Sequence, residues 1–431
     1  MDGRAQENFS RVEVNSKDAK SNFGRKGWML ITFCGIMLFF SAGTSVDGLN
    51  ATVEGLATKH GWDTAVLLGF STVSGLVSIL GMFAFGLICD RIGPRKMALI
   101  SLIAGGASYI WYGHVSSVFE YALALCLVSV FANVYAWVAG GAYLSSWFPQ
   151  KKGLALGWAT MGNNLASASI VIIITGLAGI LGGIQWAITA IGITMIILSL
   201  LAVFIPDTPR EAGVNPDNLP DEEARELYHD EGEGMAASKW TYGKLVRTKE
   251  FWLISIGLGL YMMITVGVMS QLVPRLINLG FSLDKAIGSM TVCALVGVVG
   301  SYAWGVLDQK LSTRVATAIF GVWYAVAVIF NLIPNIACIY ISLFMLGVAI
   351  GGNANWPVSM VSTVFGHKNF AKVFSLINPL ISVIRMLSFS VLALSLALTG
   401  TFNGAYVAFV ILAFVAAFLI WSVNDKKHAD S

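Results

Sequence analysis

Charged residues are scarce in this chain: 12% of its 431 residues are Asp, Glu, Lys or Arg, whereas 56% are hydrophobic. Ordinary soluble domains carry about twice that charge, so a water-soluble core is excluded. The five histidines lie in predicted loops or tails or close to the end of a predicted span, and the five cysteines lie in or beside apolar stretches without metal-ligand spacing. A Walker glycine-lysine loop and a cluster of ionisable residues at one depth are also missing. These absences argue against a primary pump and a membrane enzyme, and predict no catalytic residue, metal or cofactor.

Long apolar stretches are what the chain has in abundance. A helix needs about 20 apolar residues to cross the hydrocarbon core of a bilayer, and lipid offers no partner for unpaired backbone groups. We therefore predict an all-α membrane protein with twelve transmembrane helices. Six spans fall in each half of the chain, at 28–49, 65–89, 97–116, 121–147, 154–181 and 186–205, then at 251–273, 286–307, 315–333, 337–364, 373–398 and 403–423.

The basic residues predict the orientation of these spans. If both termini are cytoplasmic, all but four of the 27 Lys and Arg residues fall on the cytoplasmic side. Three of the four, Lys59, Arg275 and Lys285, fall on the opposite side, and Arg385 lies within a span. We therefore expect a multi-pass protein of the cell (inner) membrane with both termini inside. The net charge of +3 is an orientation signal and predicts no nucleic-acid partner.

One long polar segment divides the spans into two sets of six. Residues 206–249 separate the sixth span from the seventh and carry an acidic run at 217–233. Because the other loops are short, we interpret this segment as a cytoplasmic linker between bundles at 27–205 and 250–424. Residues 1–26 and 425–431 are expected to be cytoplasmic tails, and the hydrophilic first tail does not resemble a signal peptide.

The two halves carry matching landmarks. Residues 90–96 after the second span and 308–314 after the eighth span both begin with Asp, at an offset of 218. Phe148 precedes Lys151 and Lys152, and Phe365 precedes His367 and Lys368, at an offset of 217. Two landmarks at nearly one offset indicate a duplicated six-helix unit.

The loop after the second span contains Asp90, Arg91, Gly93, Arg95 and Lys96, and Gly86 lies just before it. This pattern resembles the signature loop of the major facilitator superfamily, except at Pro94, where Arg or Lys is usual. The resemblance implies two pseudo-symmetric six-helix bundles that rock about a central site. It also implies that charge-assisted bonds in this loop and in its repeat form a conformational gate. The gate residues are Gly86, Asp90, Arg91, Gly93, Arg95 and Lys96, with Asp308 and Arg314 in the repeat.

Two phrases are similar to one branch of that superfamily. Residues 146–157 and 247–252 resemble the oxalate/formate antiporters and monocarboxylate porters, which implies a small organic anion as substrate. The cationic residues that hold the dicarboxylate in the antiporters correspond to Ser301 and to Ile377 or Asn378 here. Since none of these is basic, oxalate itself is not the expected substrate.

Arg385 lies near the middle of the eleventh predicted span. A guanidinium at this depth costs at least about 2.5–3.5 kcal/mol, so it requires an anionic or carbonyl partner. Asn378, Ser382 and Arg385 fall on one polar stripe of the helix, together with Ser375. We expect Arg385 to bind a substrate carboxylate with Asn378 and Ser382 beside it. The alternative is a permanent pair with a backbone carbonyl or an internal acid.

Asp47 is the one carboxylate that falls within a predicted span, in the outer part of the first. It is a candidate for proton coupling because chains of Asp, Glu and His residues are otherwise missing. The alternative is a solvated aspartate at a helix end, with coupling by exchange or facilitated diffusion.

Amides and amphipathic aromatic residues occur on the spans that border the cavity in the resembled family. Such side chains can orient a ligand without adding full charges, although each could instead serve interhelical packing. The predicted lining residues are Trp137, Tyr261, Trp356, Asn133 and Asn355.

The sequence thus predicts a monomeric secondary active or exchange transporter, either an antiporter or a symporter. Its cargo would be a small organic anion with a carboxylate, moved across the lipid bilayer by alternating access with protons or a counter-anion. One alternative is efflux or uptake of a lipophilic, weakly charged compound such as a drug or a steroidal acid. Another is a membrane sensor that does not transport.

Overall fold

The computed structural model describes residues 23–228, 240–366 and 370–424, and these ranges contain helices and no strand. The predictions for residues 1–22 and 425–431, for the acidic run beyond Tyr228, and for His367 and Lys368 lie outside the described residues.

The first bundle is built from helices α1 to α8, two of which widen into π-helical turns. They are α1 (Gly24–Ala42, continued by the π-helical turn Gly43–Asp47), α2 (Leu49–His60), α3 (Thr64–Ile92), α4 (Pro94–Gly113), α5 (Val118–Asn133, continued by the π-helical turn Val134–Ala139), α6 (Gly140–Trp147), α7 (Lys152–Leu181) and α8 (Ile184–Ser199).

Two short linker helices precede the second bundle. These are α9 (Asp221–Tyr228) and α10 (Tyr242–Val246). The second bundle comprises α11 (Lys249–Asn278), α12 (Leu283–Lys310), α13 (Thr313–Leu332), α14 (Ile336–Asn353), α15 (Trp356–Phe365), α16 (Phe370–Thr399) and α17 (Asn403–Trp421).

Helix boundaries follow local chemistry. Gly93 has φ +84°, a conformation that favours glycine, and Pro94 occupies the first turn of α4, where its missing N–H is not needed. Before α5, Ser117 Oγ accepts from the Glu120 N–H at 3.2 Å, and the Glu120 carboxylate accepts from the Ser116 N–H at 2.8 Å. Such caps satisfy amides at helix ends that have no partner within the helix.

Eleven helical segments are long and apolar enough to cross a membrane among the described residues. The predicted third span, α4, is the exception, because its glycines, serines and tyrosines lower its hydropathy; ten of its residues are buried, including Tyr109 and Tyr112. The predicted tenth span is divided between α14 and α15. Each of the twelve predicted spans therefore corresponds to a helix or a helix pair.

The two bundles contact each other chiefly through two helix pairs, α7 with α12 and α3 with α16. Small residues let the first pair approach closely. A Cβ on Gly157 would lie 2.8 Å from the Ser301 carbonyl oxygen, and a Cβ on Gly305 would lie 2.5 Å from the Gly153 carbonyl oxygen. Close backbone packing of this kind is a main source of helix association in lipid.

Gly24, Trp421 and the linker lie at one end of the bundles, which we call the terminal side; the other end is the distal side. The contacts identified between the bundles lie in the terminal-side half or the middle of the helices. Trp158 and Tyr302 rings are 4.9 Å apart, and Gly141 is packed against Phe370. The bundles are thus closed toward the terminal side.

The start of the linker is fastened to the first bundle. Lys26 donates from Nζ to the Ala212 carbonyl oxygen. The Lys151 N–H donates to Asp217 Oδ1 at 2.7 Å, and Lys151 Nζ donates to the Asp217 carbonyl oxygen at 2.9 Å. Past the undescribed residues 229–239, Trp240 packs on Phe365 of the second bundle, with ring centroids 5.4 Å apart. The linker therefore connects both bundles on their terminal side.

Candidate functional site

Arg385 projects from α16 into the space between the bundles. Successive side chains on a helix are rotated by about 100°, so the Arg385 side chain points between the side chains of Ser388 and Met386, which contact different helices. Ser388 faces α11, with Oγ 2.7 Å from a Cβ built on Gly267, and Met386 faces α3, with its methyl 3.2 Å from a Cβ built on Gly75. Arg385 points between α11 and α3, toward the interior of the molecule.

The face of α16 opposite Arg385 is apolar. Val383 and Leu387, on that face, are 47% and 51% exposed and form its outer apolar surface. Arg385 is also exposed, although it points the other way. It therefore lines an open cleft between the bundles.

The guanidinium of Arg385 makes no hydrogen bond or ion pair within the part of the chain that the structure describes. Arg275, in the same bundle, differs in this respect. It donates from Nε and NH2 to Asn331, donates from NH1 to Asn403 Oδ1 at 2.8 Å, and lies 4.5 Å from the centre of the Tyr406 ring. Protein groups thus satisfy the guanidinium of Arg275, whereas no described residue does so for Arg385. Among the described residues, Arg385 has no partner of the kind that the alternative prediction, a permanent pair, requires.

Asn378 and Ser382 lie on the same face of α16, toward the terminal side. The Asn378 amide donates to the Met82 sulfur of α3 at 3.2 Å, so it joins the two bundles. Ser382 is partly exposed. The predicted polar stripe is therefore continuous from the bundle contact up to Arg385.

Asn133 and Trp137 approach this cleft from the first bundle. Gly141 contacts Phe370 of α16. Asn133 lies two turns before Gly141 and Trp137 one turn before it, on nearly the same face of the helix. Both are partly exposed, and the Asn133 amide bonds only to the Ser129 carbonyl oxygen of its own helix, at 2.9 Å. Trp137 lies in the π-helical turn Val134–Ala139, a feature often found at functional sites.

Tyr261 is a correction to the predicted lining. It is fully buried, its hydroxyl donates to the Thr317 carbonyl oxygen at 3.1 Å, and its ring packs on Phe320 at 5.2 Å. Trp356 is likewise buried, between Trp304 and Phe320, with centroid distances of 5.8 and 5.6 Å. Both side chains are packed within the second bundle and do not face the cleft in this conformation.

Asn355 belongs to a polar cluster that closes the cleft toward the terminal side. Its Oδ1 accepts a hydrogen bond from the Thr160 hydroxyl of the other bundle, and its amide donates to the Ser301 carbonyl oxygen at 3.0 Å. The Asn164 amide donates to Ser301 Oγ at 2.6 Å, again between bundles. We call Thr160, Asn164, Ser301 and Asn355 the floor cluster.

The predicted gate aspartates face lysines of the opposite bundle. Asp90 is exposed and interacts electrostatically with Lys372 on α16. Asp308 is buried, accepts from the Ser359 hydroxyl and interacts with Lys152 on α7. These two acids are related by the repeat, and each faces a lysine of the other bundle at the terminal side.

Other predicted gate residues have local roles. Arg95 lies near Asp207 of the linker, with Nε 3.9 Å from Oδ2, and its N–H donates to Oδ1 at 2.7 Å. Burial raises the pKa of Asp207, while these contacts with Arg95 act in the opposite direction. Gly93 abuts the same carboxylate.

Arg314 is a correction, because it donates to the Val423 carbonyl oxygen at 3.2 Å and lies over Trp421, all within the second bundle. Gly86 is buried, whereas Arg91 and Lys96 are exposed on the terminal side.

Asp47 ends the π-helical turn Gly43–Asp47 on the distal side of the floor cluster. Its Oδ2 accepts from the Ser167 hydroxyl of α7 at 2.8 Å, and its side chain is partly exposed. Among the described residues no group of three His, Cys, Asp or Glu side chains could hold a metal ion.

The sequence of residues 31–389 matches the family model of the Major Facilitator Superfamily. The chain belongs to this superfamily. The predicted recognition and the all-α fold class are thereby confirmed, and the protein is a multi-pass membrane transporter of small molecules. Membership points to a transporter and away from an enzyme.

Curated relatives of this superfamily member are distant. It is 23% identical to an uncharacterized MFS-type transporter, YhjX of Escherichia coli K12, over 374 residues that cover 83% of this chain and 85% of that protein. It is 25% identical to the oxalate:formate antiporter of Oxalobacter formigenes over 303 residues, covering 65% and 64%.

Solved structures of transporters share the fold. The human organic anion transporter MFSD10 (TETRAN) matches with a TM-score of 0.67 at 14% identity, covering 91% of this chain and 98% of that one. The proton:xylose symporter XylE matches with a TM-score of 0.70 at 15% identity, covering 93% and 96%. At these identities the likeness concerns architecture alone.

The sequence interpretation missed Thr160 and the two gate lysines, Lys152 and Lys372. The repeat offset could have found Thr160, because position 378, which is 218 residues later, is Asn378 on the predicted polar stripe. The lysines were assigned only to positive loops, since basic residues near helix ends are the usual orientation signal.

Proposed function

We propose that this transporter moves a small organic carboxylate, bound between its bundles at Arg385, by alternating access. The observation that carries the proposal is the contrast between the two arginines: Arg275 is saturated by protein groups, whereas Arg385 faces the cleft without a protein partner among the described residues. A permanently charged guanidinium near the middle of a membrane span, without a counter-charge from the described residues, favours an anionic guest.

The surrounding side chains suit this role. Ser382, Asn133 and Trp137 can offer hydrogen bonds and apolar contact to a carboxylate bound at Arg385, and none of them adds another basic group. The distant oxalate:formate antiporter agrees with a carboxylate as cargo. Exchange for a second anion is the coupling we propose, with Asp47 as the candidate group for protons if the transporter is a symporter.

The orientation follows from the distribution of basic residues. With the terminal side in the cytoplasm of the inner membrane, the cleft opens outward, and the floor cluster and the two gate pairs close the inner side. Rocking the bundles would have to break these contacts and form others at the distal side.

The deciding experiment is counterflow of radiolabelled mono- and dicarboxylates in proteoliposomes containing the whole chain. Arg385→Gln is expected to abolish saturable uptake, and Arg385→Lys to weaken apparent affinity at least tenfold, because the bidentate guanidinium geometry is lost. Arg275→Gln is the matched control: it should lower thermal stability while leaving anion selectivity unchanged. Unchanged affinity and selectivity in both Arg385 variants would refute the proposal.

A further inference from the structure

Asp47 presents a carboxylate that the protein satisfies only in part. Its Oδ2 accepts from the Ser167 hydroxyl at 2.8 Å, and no bond to Oδ1 occurs among the described residues. Asp47 forms no ion pair within 4.0 Å with any described Lys, Arg or His side chain. The nearby hydroxyls of Thr44 and Ser45 are bonded to carbonyl oxygens of their own helix.

The Asp47–Ser167 pair faces the cleft and not lipid. On α7, Gly162 is packed against α1, where a Cβ would meet the Gly35 carbonyl oxygen, and Asn164 is bonded to α12. At about 100° per residue, Ser167 points between these two directions. The face on the other side of α7 carries Leu165 and Ile172, which are 46% and 71% exposed.

Ser167 and Arg385 occupy equivalent positions in the duplicated halves. They are 218 residues apart, the offset that separates Asp90 from Asp308. Each follows the first residue of a 30-residue helix by fifteen positions, and so lies about 22 Å along it. The carboxylate held by Ser167 and the guanidinium of Arg385 therefore face one cleft at similar depth from opposite bundles.

From this juxtaposition we infer that the transported carboxylate also carries an ammonium group, so that the cargo is a dipolar amino-carboxylate: its carboxylate binds Arg385 and its ammonium binds Asp47. The inference rests on the proposed function and narrows its substrate class. A plain carboxylate would satisfy Arg385 but leave Asp47 as an unpaired like charge in the same cleft, which disfavours it. A dipolar guest satisfies both charges and connects the two bundles.

The test uses purified full-length protein and pairs of probes that differ only in the amine. Thermal stabilisation and inhibition of counterflow are measured for propionate against β-alanine, butyrate against 4-aminobutyrate and hexanoate against 6-aminohexanoate, with propylamine as the amine alone. We expect the wild type to prefer at least one amino-carboxylate over its plain partner tenfold or more. Asp47→Asn should reduce that preference below threefold while retaining carboxylate binding.

Ser167→Ala removes the hydroxyl that orients Asp47 and should reduce the preference about threefold. Arg385→Gln should abolish binding of both members of each pair. Ser169→Ala is the control, because its hydroxyl bonds to the Leu165 carbonyl oxygen of its own helix at 2.6 Å.

Three outcomes would overturn the inference while leaving the carboxylate proposal standing. These are a wild type that prefers the plain acids or does not distinguish the pairs, an Asp47→Asn variant that keeps the full preference, and an Asp47→Asn variant that loses only its response to an imposed pH gradient. The proposed function and this inference would both be overturned if no carboxylate bound to the wild type, or if Arg385→Gln bound carboxylates as tightly as the wild type.

Discussion

The Asn164 side chain donates a 2.6 Å hydrogen bond to the Ser301 hydroxyl, which joins α7 of the first bundle to α12 of the second. The Ser301 hydroxyl in turn donates a hydrogen bond to the Gly351 carbonyl oxygen at 2.9 Å. Polar bonds between helices in membranes are worth about 0.6 kcal/mol on average and up to about 1.7 kcal/mol. A few such bonds suffice to bias a transporter between conformations of similar free energy.

Asn164→Ala is expected to shift the conformational equilibrium away from the terminal-closed state about threefold to tenfold. Spin labels at the distal ends of α7 and α16 would report a larger population of short distances by pulsed electron resonance. Ser169→Ala, on the same helix, should leave the distribution unchanged. Identical distributions for Asn164→Ala and wild type would show that the floor cluster does not hold this state.

Gly157→Val should disfavour the terminal-closed state more strongly, because its side chain would collide with the Ser301 carbonyl oxygen and the Gly305 backbone. The spin-label distances should change, and the transport rate should fall at least tenfold. Gly176→Val is a matched control on α7, since nothing lies within 4 Å of a Cβ at that position. Wild-type transport by Gly157→Val would contradict the closed packing described here.

The two gate aspartates should differ in importance. Asp308 is buried and Asp90 is exposed, and removing one partner of a buried charge pair costs about 3–5 kcal/mol, against about 0.2–1 kcal/mol for an exposed pair. Asp308→Ala should therefore reduce transport or folded yield severely, whereas Asp90→Ala should change transport only a few-fold. Two double-mutant cycles, Asp308→Ala with Lys152→Ala and Asp90→Ala with Lys372→Ala, measure the coupling energy of each pair. A larger coupling energy for the Asp90 pair would contradict this prediction.

Tyr261→Phe should lower stability without changing substrate affinity. It removes one buried hydrogen bond, worth about 0.5–1.5 kcal/mol, from a side chain that does not face the cleft. Trp137→Ala, by contrast, should raise the transport KM about tenfold. Thermal unfolding and counterflow kinetics on both variants separate a role in packing from a role in substrate binding. A raised KM in Tyr261→Phe would show that Tyr261 contributes to substrate binding.

The linker should respond to pH through Asp207. Because burial raises the pKa of this carboxyl, the folded protein binds its proton more tightly than the unfolded chain. Its contribution to stability is therefore fully present below the ordinary Asp pKa of about 3.9 and is lost as pH rises through the raised value. Asp207→Asn should flatten this part of the stability profile in thermal unfolding between pH 4 and 7, and an unchanged profile would contradict it.

Local rules predicted the spans and the position of the main polar residues along them. The twelve spans, the duplication and the polar stripe ending at Arg385 all follow from hydropathy and spacing along single helices. Asp47 was singled out because an aspartate inside an apolar span is costly. What spacing could not predict was the partner of each polar group, since Ser167, Ser301 and Lys372 are distant in sequence from the residues they contact.

The sequence by itself determined that this chain lies in a membrane as a duplicated bundle of helices, because length and apolarity leave the backbone no other way to satisfy its hydrogen bonds in lipid. The tertiary structure alone decided which face of each helix is inside. Tyr261 and Trp356 turned toward their own bundle and Arg385 toward the cleft, although all three lie on strongly apolar helices. Lipid and a packed interior are equally apolar, so hydropathy carries no signal for this choice, and helix packing decides it.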